Sequence, residues 1–121
     1  MSTLKVGTIQ NTSGGASSTP EQIESGRAKA WVRFNQSNNS IQASFNVSSI
    51  TDVSNAKTDI NFATAFADAN YTFAGMCGNN NNFMALDTNT QDPSATEVRV
   101  ASTDAGNSLQ DSTDAGVVIF A

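Results

Sequence analysis

From Ala28 to Val47 the chain changes chemical character at nearly every residue. Ala28, Ala30, Val32 and Phe34 alternate with Lys29, Trp31 and Arg33. After the polar stretch Asn35-Gln36-Ser37-Asn38-Asn39-Ser40, the residues Ile41, Ala43, Phe45 and Val47 alternate with Gln42, Ser44 and Asn46. A period of two suits a strand with one buried face and cannot give a helix one apolar side. Two such runs around a turn predict an antiparallel hairpin. Ile50 continues the second run, with a slip at Ser48-Ser49 that marks a bulge or bend.

The same reading extends along the chain. Asp59 to Ala63, Tyr71 to Cys77, Phe83 to Leu86 and Glu97 to Ser102 each read as a strand. Val53 to Lys57, Gly78 to Asn82 and Asp87 to Ser94 are turns or loops. The loop Ala65 to Asn70 is expected to tuck one aromatic inward. The last residues, Gly116-Val117-Val118-Ile119-Phe120-Ala121, form an apolar run without alternation. Such a strand needs cover on both faces, so it completes a sheet or lies between chains. The fold class expected is all-β, an antiparallel β-sandwich or small barrel-like domain of about six to eight short strands.

One short helix precedes it. Thr19 is a fitting N-cap, Pro20 suits the first helical position, and Gln22 lies at capping-box spacing. Gly26 ends the element. A helix this short needs something to dock on, and a neighbouring subunit is one candidate. Upstream, Leu4, Val6 and Ile9 give a small apolar pattern, and Asn11 to Ser18 reads as a flexible connector. The expected divisions are an attachment segment and connector at 1–19, the capped helix at 20–26 and the β-domain at 27–121.

Composition narrows the function. Of 121 residues only 38% are hydrophobic, so the private core is thin, which points to apolar surface buried between subunits. The net charge of −5 disfavours nucleic acid and anionic membranes as partners. No apolar run has the length of a membrane span, and Met1 to Lys5 lacks the apolar core of a signal peptide. Synthesis in a host cytoplasm is the expectation. There is no histidine and a single cysteine, Cys77, expected to be a small buried residue. One chain therefore holds no internal disulfide, no Cys/His zinc site and no histidine general base. We expect no enzymatic activity and no cofactor.

Three features bear on sites. Asn79, Asn80, Asn81 and Asn82 form an amide-rich loop tip suited to a sugar or protein receptor, as does the Asn38-Asn39 turn. Ser-Thr-Asp-Ala-Gly occurs at 102–106 and again at 112–116, predicting two similar turns. Asp104, Asp111 and Asp114 are weak Ca²⁺ candidates by oxygen chemistry alone, and the pattern is not an EF-hand. Asp87, Asp92, Asp104, Asp111 and Asp114 read mainly as solvated loop acids; a glycosidase pair among them is the less favoured alternative. Ile23, Trp31, Phe34, Ile119 and Phe120 are the candidates for trimer or assembly contacts. Around Trp31 and Phe34 the aromatics are expected to pack, while Arg27, Lys29 and Arg33 face a neighbouring surface.

The segment Gly26-Arg27-Ala28-Lys29-Ala30-Trp31-Val32, behind the short helix, resembles the start of distal domains of tail-fibre proteins of tailed phages, particularly marine and cyanophage types with a GRAKAW-type motif. Segments like Ser44 to Asp52, Ile60-Asn61-Phe62 and Phe66 to Tyr71 follow in the same order, so the resemblance spans roughly two-thirds of the chain. Around Asn55 to Asp59 the usual Gly and aromatic residues are replaced, and the repetitive shaft is missing. The resemblance implies a homotrimeric virion tail component, partnered by other tail proteins and by a host surface glycan or protein. A capsid decoration protein and a glycan-degrading tail enzyme are the alternatives.

Overall fold

The structure, a computed structural model, describes residues 1–78 and 83–121. The helix forms where the capping residues place it. In α1 (Pro20–Gly26) the Thr19 side chain accepts from the Gln22 N–H, and the Gln22 side chain accepts from the Thr19 N–H. Two of the orphan donors of the first turn are thereby satisfied. The helix includes Gly26, and Arg27 leaves it in an extended conformation. The preceding connector is a small hairpin: β1 (Ile9–Gln10) pairs with β2 (Ser17–Ser18). Its turn is organised by Asn11, whose Oδ1 accepts from Ser13 Oγ and from the N–H groups of Gly15 and Ala16. Composition alone reads this stretch as a flexible tether; one amide side chain supplies the partners that give it a shape.

The β-domain is two antiparallel four-stranded sheets around one core. The first has the order β4 (Ser40–Phe45), β3 (Ala30–Asn35), β10 (Ala115–Phe120), β7 (Thr72–Cys77). The second has the order β5 (Val47–Ser54), β6 (Lys57–Phe62), β9 (Glu97–Thr103), β8 (Phe83–Leu86). Every strand read from the sequence is present. Alternation puts Ala30, Val32, Phe34, Ala115, Val117 and Ile119 of the first sheet against Ile60, Phe62, Val98 and Val100 of the second. Phe66 does turn inward, its ring 4.5 Å from Phe62 and 5.2 Å from Tyr71. The non-alternating C-terminal run is β10, a central strand paired on both sides.

The run from Ile41 to Ile50 is not one strand. It breaks at Asn46, which has φ 53°, and the chain passes there from the edge of one sheet to the edge of the other. Asn46 holds the corner by donating from Nδ2 to the carbonyls of Lys29 (3.1 Å) and Thr64 (3.2 Å) and accepting from Thr64 N–H at 2.7 Å. A bulge between Val47 and Ser49 follows, at the slip in the pattern. On the opposite side, β7 lies against β8 so closely that a Cβ at Gly75 would stand 2.9 Å from Met84 Cγ. Gly75 is the residue that lets these edges meet.

Gln36 belongs to the stretch that reads as an exposed turn, yet it is buried. Its Nε2 donates to the Ala56 carbonyl (3.1 Å) and to Thr58 Oγ1 (3.3 Å). Its Oε1 accepts from Ser102 Oγ (2.6 Å) and Ser112 N–H (2.9 Å). Ser102 and Ser112 are the first residues of the two Ser-Thr-Asp-Ala-Gly copies. The copies then diverge. Asp104 forms an Asx turn onto the N–H groups of Gly106 and Ser108, whereas Asp114-Ala115-Gly116 runs into β10.

Two outcomes test this arrangement. Gln36→Ala strips the partners from several buried polar groups at once and should cost about 2–4 kcal/mol in denaturant unfolding. Tyr71, the single tyrosine, donates to the carbonyls of Ser94 and Glu97, and burial pushes its phenol up to about 12. The fold thus retains a proton that the unfolded chain releases near the ordinary value of 10, and stability should fall as pH rises from about 10 through 12. Phenolate absorbance should titrate in that window, together with the loss of structure.

Candidate functional site

The strand register decides what each sheet shows to solvent. On the outer side of the first sheet, Phe45, Trp31, Val118 and Ala74 stand side by side across four strands. The next row is Ala43, Arg33, Gly116 and Met76. Trp31 keeps 39% of its surface exposed, Phe45 51% and Met76 58%. Gly116, without a side chain, is the floor of a shallow apolar groove of about 360 Å³ between Trp31, Arg33, Met76 and Val118. A Cβ at Gly116 would approach Met76 Cγ to 3.0 Å and begin to fill it. Arg33 forms a forked pair with Asp114, both bonds 2.9 Å. Aromatic, Met and Arg side chains are the types enriched where proteins bind one another, and a contiguous exposed apolar face is uncommon on a domain that stays alone.

The outer side of the second sheet is mostly polar across β5, β6 and β9, with Phe83 exposed on the edge strand β8. Asn61 Nδ2 donates to Ser49 Oγ and Thr51 Oγ1. Arg99 grips Asp59 with two bonds of 2.6 and 2.9 Å. Lys57 pairs with Asp87 at 2.8 Å, and Thr90 Oγ1 donates to the same carboxylate. Asp87 is therefore a buried ion-pair member and not the solvated loop acid its polar surroundings suggest. Lys57 and then Thr90 hold its carboxyl below the ordinary range. Within this sheet the polar groups satisfy one another.

The residues singled out from sequence fall in separate places. Phe34 and Ile119 are fully buried in the chain's own core and face the opposite sheet. They are spent there, because alternation sends the even positions of β3 inward. Trp31 is on the other side of the same strand, so the two aromatics do not pack together. Phe120 lies on the outer face beside Val118. Ile23 is exposed on α1, grouped with Leu4, Val6, Ile9 and Pro20 in a second apolar surface. Arg27 and Lys29 pair with Glu24 of their own chain, and Arg33 with Asp114.

The three acids considered for Ca²⁺ have different tasks. Asp104 serves its own turn, Asp111 Oδ1 accepts from the Ala56 N–H at 2.7 Å, and Asp114 holds Arg33. Among the described residues there is no group of three or more Asp, Glu, Cys or His side chains arranged for a metal. Asn79, Asn80, Asn81 and Asn82 lie outside the described residues. Their flank Gly78 donates to the Asp114 carbonyl and accepts from Ser112 Oγ, at the end of the domain where the Asn38-Asn39 turn also lies. Cys77 is half-buried beside Ser112, and burial raises its thiol above the usual value. No helix among the described residues is long and apolar enough to cross a membrane.

Sequence reasoning passed over Gly116, Met76 and Val118. The signal for them is the missing alternation in β10, which asks for cover outside as well as inside. No family model, curated protein or solved structure matches this chain.

The charge pairs of the second sheet give a pH test. A depressed Asp87 contributes stability that is complete above its ordinary value near 3.8 and is lost as pH falls below it. Lys57→Met leaves that carboxylate buried without its cation. It should cost about 2–4 kcal/mol at neutral pH and shift the acid-unfolding midpoint upward, read by circular dichroism.

Proposed function

We propose that this chain is a non-enzymatic structural protein of a tailed-phage virion, a tail-fibre or tail-tip module that assembles as a homotrimer and takes part in host attachment. The observation that carries the reading is the apolar outer face of the first sheet. A domain with so thin a private core gains from burying Trp31, Phe45, Met76 and Val118 against another subunit. The ordered set of tail-fibre-like segments supports the tail as the place of action, with synthesis in the host cytoplasm before assembly. The Asn38-Asn39 turn near the Gln36 end is the described surface offered to a host glycan or protein, and Asn79 to Asn82 are the candidates from sequence. No step in this function requires a cofactor, and of the acids weighed for a glycosidase pair Asp87, Asp104, Asp111 and Asp114 are engaged in turns and ion pairs.

Two experiments test the proposal. In sedimentation equilibrium the full chain should weigh as a trimer. The emission of its single tryptophan, Trp31, should move to the red on dilution as the face becomes wet. A monomer with concentration-independent emission overturns the homotrimer. Immunogold labelling of virions should mark the tail; label on the capsid would assign the chain to decoration instead. Turnover of host polysaccharide, abolished in Asp87→Asn or Asp104→Asn, would overturn the non-enzymatic reading.

A further inference from the structure

We draw no further inference here: the strongest candidate, the shallow apolar groove over Gly116 on the outer face of the first sheet, carries nothing beyond the assembly reading already given, because nothing in the structure shows what covers it.

Discussion

The carboxamide of Gln36 is buried where four stretches of chain meet, and the closed end of the domain is built on it. It joins the end of β3 to the β5–β6 turn at Ala56, to Thr58 of β6, to Ser102 of β9 and to Ser112 ahead of β10. An apolar side chain there would leave backbone and hydroxyl groups of both sheets without partners, at about 1–3 kcal/mol for each. The carboxamide has both donors and acceptors, so one residue serves both layers. Ser102 Oγ and the Ser112 N–H converge on a single oxygen. This gives the repeated Ser-Thr-Asp-Ala-Gly a physical role: each copy delivers its first residue to the same acceptor. Beyond that serine the two copies differ, because one must turn back as a loop and the other must enter a central strand.

From that fixed end the two sheets take their separate surfaces. The second sheet pairs its outward charges, Arg99 with Asp59 and Lys57 with Asp87, and ladders its amides and hydroxyls. Across β5, β6 and β9 these outward polar groups find partners within the chain, while Phe83 on the edge strand β8 stays 62% exposed. The first sheet has one exposed ion pair, Arg33 with Asp114, which contributes little in water. The other side chains of its two middle outward rows are apolar, with Asn35, Ser40 and Thr72 at the ends. The difference is encoded in β10, where Val118 and Phe120 face outward while Val117 and Ile119 face inward. A strand covered on one side only would have no use for apolar residues on the other.

This distinction also explains what could be read from the sequence. Strand positions follow from alternation and turn chemistry, both local, and the strands of the β-domain lie where those signals do, except that β4 and β5 read as a single run and β5 extends to Ser54, into the stretch read as a turn. The capping box is likewise local, and Thr19 and Gln22 act as their spacing suggests. Asn46 was hidden because it continues the alternation while its backbone leaves the strand. Gln36 and Asp87 were hidden because their polarity fits a solvated loop; each is buried by partners distant in sequence, which no local pattern displays. Arg99 and Asp59 meet across 40 residues only because β6 and β9 are neighbours. Trp31 shows the reverse. Its size suggests a core residue, but its parity in β3 places it outside, and parity decides.

The parity of a strand therefore carries more functional information here than any motif. In the Gly26 to Val32 segment, Ala30 and Val32 build the core, Lys29 ties the helix end through Glu24, and Trp31 is delivered to the outer face. The same seven residues thus set the direction of the N-terminal unit and form one wall of the groove.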